Sequence, residues 1–91
     1  MTIQNIQSLL IGYKRSTKLA NNQIVVSFTN GEVFESYNQP IVIKLNNITY
    51  LTDKWDYSKN TGKYRNRYLN ETKKEIEKKI KDGLYLVISN K

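Results

Sequence analysis

From residue 23 onward, apolar and polar positions follow a strand pattern. Residues 23–29 (QIVVSFT) are rich in β-branched and aromatic side chains. Asn30-Gly31 follows. This pair is a strong hairpin signal, because both residue types accept the positive φ of a type I′ turn. Residues 32–37 (EVFESY) then alternate, with Val33 and Glu35 on one face and Phe34 and Ser36 on the other. Asn38-Gln39-Pro40 interrupts the run, since proline cannot donate to a central ladder. Residues 41–45 (IVIKL) read as a third strand, Asn46-Asn47 as another tight turn and residues 48–52 (ITYLT) as a fourth strand. The pattern predicts an antiparallel meander. Residues 8–14 (SLLIGYK) read as a further strand, with a short helix as the alternative.

After residue 60 the period changes. Over residues 61–69, Thr61, Tyr64, Tyr68 and Leu69 fall near one helical stripe. Thr72 and Glu75 have the spacing of a capping box, in which each side chain satisfies the other residue's backbone amide. Ile76 and Ile80 form an apolar i, i+4 pair, and Gly83 suits the position just past a helix end. Glu75 with Lys79, and Glu77 with Lys81, have the favourable order for i, i+4 ion pairs. Residues 84–89 (LYLVIS) close the chain as a strand. The expectation is a single α+β domain over residues 1–91: a four- to six-stranded, mostly antiparallel sheet with one or two helices packed on one face.

Composition narrows the chemistry. The chain contains neither cysteine nor histidine. Disulfides, thiolate nucleophiles, Ser-His-Asp sites and histidine-based metal sites are therefore excluded. Asp53 and Asp56 stand three apart, but two carboxylates at a strand–loop junction suit pairing with Lys54, Lys59 or Arg65 better than a metal site. The expectation is a protein that is not an enzyme and carries no cofactor and no metal. The start of the chain lacks the pattern of a secretion signal, and no stretch approaches the ~18 apolar residues of a membrane span. No membrane partner is expected, and the expected location is the cytoplasm.

The formal net charge is +7. It is concentrated, since ten of the fifteen Lys and Arg residues lie between positions 54 and 82. A basic balance favours anionic partners. The stretch 50–68 (YLTDKWDYSKNTGKYRNRY) interleaves cations with aromatic rings. Lys and Arg neutralise phosphates, and rings stack on bases. The candidate binding residues are Lys54, Trp55, Tyr57, Lys59, Lys63, Tyr64, Arg65 and Arg67. For Trp55 and Tyr57 the competing reading is a place in or beside the core, and for the cations a solvated rim. Ser58, Asn60 or Thr61 can cap the helix that follows.

Three parts of this region carry a resemblance: Phe34 through Ile41 (FESYNQPI), Tyr50-Leu51-Thr52, and Trp55 through Tyr64 (WDYSKNTGKY). Together they resemble a group of small uncharacterised phage proteins. That group has a Ser-Tyr-x-x-Pro-Ile step, a strand ending Tyr-Leu-Thr, and a Tyr-Ser-x-Thr-Thr-x-Lys-His/Tyr element opening a helix. This chain has Asn60 where the group tends to have threonine, and Tyr64 where histidine is frequent. The resemblance implies a phage or mobile-element origin and a stoichiometric binder acting in the host cytoplasm. Its expected partner is a host defence protein or nucleoprotein complex, which it would inhibit in the manner of an anti-CRISPR protein. The alternatives are an accessory protein binding RNA or DNA directly, and an oligomer sequestering a nucleotide signal. Either a monomer or a homodimer fits the length.

Overall fold

A computed structural model describes residues 2–89. In order, the elements are α1 (Ile3–Ser8), β1 (Tyr13–Ala20), β2 (Gln23–Phe28), β3 (Gly31–Ser36), β4 (Gln39–Leu45), β5 (Ile48–Thr52), α2 (Lys59–Leu69), α3 (Lys73–Lys81) and β6 (Tyr85–Ile88). Among the described residues there is one six-stranded sheet, with its strands in sequence order. Strands β1 to β5 form an antiparallel meander, and β6 joins β5 in parallel. A parallel step requires a crossover, which α2 and α3 provide. The α+β class follows, with α2 and α3 on one face as the sequence predicts.

The sheet buries both faces. Ile3, Ile6, Val33, Ile43, Leu45, Tyr50 and Ile88 form one cluster, roofed by α1. Val25, Phe34, Ile41, Val42, Leu51 and Ile76 form the other, beneath α2 and α3. Pro40 belongs to β4 rather than ending it. It stands opposite Glu35 beside a bulge at which Val42 pairs with Phe34, leaving Ile41 as the extra residue. The bulge puts both Ile41 and Val42 on the α2/α3 side.

The turn at Asn46-Asn47 forms as the sequence predicts, but the β2–β3 turn departs from expectation. Phe28 pairs with Gly31, so the β2–β3 turn is Thr29-Asn30, and neither Asn30 nor Gly31 has a positive φ. A Cβ on Gly31 would fall 1.9 Å from the carbonyl oxygen of Lys44, so glycine is required here for close approach of two backbones. The turns with two left-handed residues are Tyr37-Asn38 (φ 52° and 64°) and Asn46-Asn47 (φ 50° and 69°).

The amino-terminal region also differs. Of residues 8–14 only Tyr13 and Lys14 are strand: α1 takes Ile3–Ser8, capped by Thr2 and Asn5, and β1 starts at Tyr13. Strand β1 is solvated over most of its length, so no alternation of apolar residues marks it in the sequence. It carries Lys14, Arg15 and Lys18 at the sheet edge, where cations discourage pairing with another chain. None of the described helices is long and apolar enough to cross a membrane.

Candidate functional site

The segment between β5 and α2 is wound tightly. Thr52 Oγ1 donates to the Pro40 carbonyl at 2.6 Å and accepts from the Lys54 amide at 3.2 Å. The Trp55 amide bonds the Thr52 carbonyl at 3.0 Å, and the Tyr57 amide bonds the Lys54 carbonyl at 3.1 Å. Ser58 then caps α2, its hydroxyl accepting from the Thr61 amide at 3.1 Å. Helix α2 lies antiparallel to β3. At its start, Thr61 and Ser36 share a buried hydroxyl–hydroxyl bond of 2.8 Å; at its end, the Tyr68 hydroxyl donates to Glu32. Burial first, and then the Glu32 carboxylate, raise the Tyr68 pKa far above the ordinary phenol value.

Arg65 is the internal lock of this region. It is only 1 % exposed. Its Nη1 donates to the Trp55 carbonyl at 2.6 Å and to Asp56 at 3.4 Å, while Nε and Nη2 both donate to Asn66 Oδ1. The guanidinium also lies 5.1 Å from the Trp55 ring centroid. Asp56 in turn holds Lys73, at the start of α3, at 2.8 Å. One carboxylate thus ties the loop to both helices.

This arrangement corrects the expected surface. Arg65 is not presented to solvent: its fork satisfies the Trp55 carbonyl and an acidic partner. Trp55 is half-buried and packs, like Tyr64, against the cluster under α2 and α3. Lys54, Tyr57, Lys59, Lys63 and Arg67 are exposed. Lys54 stands over the Tyr57 ring at 5.5 Å and Lys63 over the Tyr64 ring at 5.4 Å. Among the described residues Lys59, Lys63 and Arg67 have no ion-pair partner. The i, i+4 pairs expected within α3 do not form. Lys79 instead pairs with Glu71, which also accepts from the Tyr85 hydroxyl, and Lys78 pairs with Asp82.

The exposed cations converge. Lys59, Lys63 and Lys73 line one shallow cleft of about 400 Å³ with Asp56, Ser58, Gly62, Arg65 and Asn66. Asp56, the single carboxylate there, is paired with Arg65 and Lys73, which leaves the charges of Lys59 and Lys63 unopposed. Lys73 is a member that the sequence did not reveal. It is the first residue of α3, and only the fold of the α2–α3 pair returns it to Asp56. Arg67 lies outside the cleft, on the same helix. A second shallow cleft, at the β2–β3 and β4–β5 turns, is lined mainly by Asn, Thr and backbone, with Glu32 and Lys44. Among the described residues no group of three or more carboxylates is placed to hold a metal ion.

Asp56 gives this tie a pH signature. The hydrogen bond from Lys73 holds its carboxyl below the ordinary value of 3.8; burial opposes that effect, and the charges of Lys73 and Arg65 add to it. A carboxyl with a depressed folded-state pKa contributes stability that is complete above its unfolded value and lost as pH falls through the folded one. The stability difference between wild type and Asp56→Asn is therefore expected to be constant near neutrality and to shrink below about pH 4. Urea unfolding of both proteins from pH 7 to pH 2 measures it, and a difference independent of pH contradicts this role for Asp56.

These features define a small α+β domain, a meander closed by a helical crossover, with a basic cleft beside its first crossover helix. The chain belongs to DUF8033, a family of unknown function, whose model matches residues 6–83. The match runs from α1 through α3 and includes every residue of the cleft. Among curated proteins and among solved structures there is no match.

Proposed function

We propose that this chain is a non-catalytic binding protein that holds the phosphate backbone of a nucleic acid in the cleft formed by α2, the loop before it and Lys73 at the start of α3. The observation that carries the reading is the convergence of Lys59, Lys63 and Lys73 on that cleft, above a loop locked by Arg65. Lys59 and Lys63 spend no charge on an internal carboxylate, so they can neutralise phosphates and release the counterions condensed on them. One helical turn of α2 separates them, so they sit on one face of the helix and little entropy is lost in bringing both to a ligand. The phage or mobile-element origin implied by the resemblance points to a host defence nucleoprotein as the target, blocked in the host cytoplasm by occupation of its nucleic acid. A net charge of +7 suits this role and is opposite to that of a DNA mimic.

The test is binding of a labelled oligonucleotide by fluorescence anisotropy across a salt series. Lys59→Ala/Lys63→Ala is expected to weaken binding at least tenfold. It should also flatten the slope of log affinity against log salt by about 1.4 to 1.8, because each phosphate left without its cation removes ~0.7 to 0.9 from that slope. A folded double variant with the wild-type slope removes the cleft from the interface. In host lysate, capture of the nucleoprotein is expected to fail after nuclease treatment. Capture that survives the nuclease would indicate a direct protein interface instead.

A further inference from the structure

Two tyrosines border the start of α2 with their rings in solvent. Tyr57, immediately before the capping serine, is 54 % exposed, and Tyr37, in the β3–β4 turn, is 41 % exposed. Tyr37 is the unusual one. It adopts φ 52°, the left-handed conformation that glycine and asparagine take readily and that is uncommon for a bulky residue. The next residue, Asn38, shows what such a turn ordinarily uses, at φ 64°. The Tyr37 ring is not needed to fill the core, because neither cluster includes it. Its hydroxyl accepts a 2.6 Å bond from the side chain of Asn60, in the first turn of α2. That bond pins the ring next to the helix whose outer surface carries Lys59 and Lys63. A residue held in an unfavourable conformation without a packing role is a candidate for function.

We infer that Tyr37 and Tyr57 are base-stacking residues, and that the ligand of the basic cleft is single-stranded nucleic acid rather than duplex. This rests on the proposed phosphate-binding role of Lys59 and Lys63. Bases in a duplex are stacked on one another and cannot open onto a protein ring, whereas an unpaired base can. Neither ring lines the cleft itself: Tyr37 is tied to Asn60 in the first turn of α2 and Tyr57 precedes its cap, so bases leaving the phosphates at Lys59 and Lys63 would meet the rings at that end of the helix. Exposed tyrosines add nothing for duplex beyond incidental contact.

The experiment compares a single-stranded oligonucleotide with a duplex of the same length, by anisotropy, for four variants. Wild type is expected to prefer the single strand. Tyr37→Asn should weaken single-strand binding about tenfold, with duplex binding unchanged, and should keep or raise the melting temperature because asparagine suits the turn. Tyr37→Phe should weaken single-strand binding less than Tyr37→Asn does, since it keeps the ring that stacks and loses only the bond that positions it. Tyr57→Ala, at a position without a core role, should weaken single-strand binding similarly. Lys59→Ala/Lys63→Ala should weaken both ligands. The inference is overturned if the lysine variant loses binding while the Tyr37→Asn and Tyr57→Ala variants keep it, or if duplex binds as well as single strand. If wild type binds neither ligand, the phosphate-binding reading fails and this inference fails with it.

Discussion

Gly31→Ala is expected to destabilise the domain by about 3 kcal/mol or more. The added methyl would lie 1.9 Å from the Lys44 carbonyl oxygen and 2.9 Å from the Leu10 side chain. Leu10 can rotate away, but the carbonyl cannot, because it belongs to the backbone of the neighbouring strand. Relief requires β3 and β4 to separate at the end of the ladder where Gly31 pairs with Leu45. These two central strands carry Val33, Phe34, Ile41, Val42 and Ile43, so their separation loosens both clusters at once. A domain of this size has only ~5–10 kcal/mol of stability to lose, and 3 kcal/mol corresponds to a fall of roughly 12 °C or more in melting temperature. Denaturant unfolding should show a lower midpoint with an unchanged slope. An unaltered midpoint would mean that β3 and β4 leave room for a side chain at this position.

Arg65 offers the second large effect. Arg65→Ala is expected to cost about 3 kcal/mol, because it strands the Trp55 carbonyl and leaves Asp56 with Lys73 alone. The loss stays below the upper range for buried pairs, since the Asp56 side chain is 43 % exposed and water can replace part of the interaction. Arg65→Lys should recover little. A lysine cannot reproduce the fork that reaches Trp55, Asp56 and Asn66 together. Arg65→Met should be the mildest of the three, because it refills the volume against Trp55 and removes the buried charge. The variants also separate a positioning role from direct engagement of the ligand. Arg65→Met is expected to lower stability while leaving the salt dependence of nucleic-acid binding at its wild-type slope, in contrast to the Lys59 and Lys63 changes. A flattened slope for Arg65→Met would show that its charge meets the ligand directly.

Much of the scaffold was legible in the residues, and the reasons are local. The capping box at Thr72 and Glu75 forms as the spacing requires, with bonds of 3.2 and 2.9 Å. Ser58 caps α2, and Gly83 takes φ 79° past the end of α3. Each of these depends on residues within one helical turn. The hairpin at Asn30-Gly31 was signalled correctly as a hairpin but for the wrong reason. The residue types announced a backbone with positive φ, whereas the fold uses the missing side chain of Gly31 to admit a neighbouring strand. Strand β1 escaped because its side chains face water and so leave no periodic trace. The break between β3 and β4 was legible at Asn38-Gln39-Pro40, but the turn begins one residue earlier, because tyrosine resembles a strand residue and seldom adopts a left-handed φ.

The site divides along the same line. Charge, aromatic content and the absence of histidine and cysteine belong to the sequence, and they determined the class of partner worth considering. Period and capping determined the meander from β2 to β5 and the helical stretch after it, whereas the edge strand β1 and the crossover to a parallel β6 came only with the fold. Which cations meet solvent was decided only by tertiary structure. Arg65 and Lys63 are two residues apart on one helix, yet a helix turns about 100° per residue. The first therefore faces Trp55 and Asp56 from inside, and the second stands outside. Lys73 reaches the cleft, and Tyr37 reaches Asn60, through bonds between segments far apart along the chain. The environment of a charge is set by what lies within a few ångströms in space, and sequence neighbours supply only part of it.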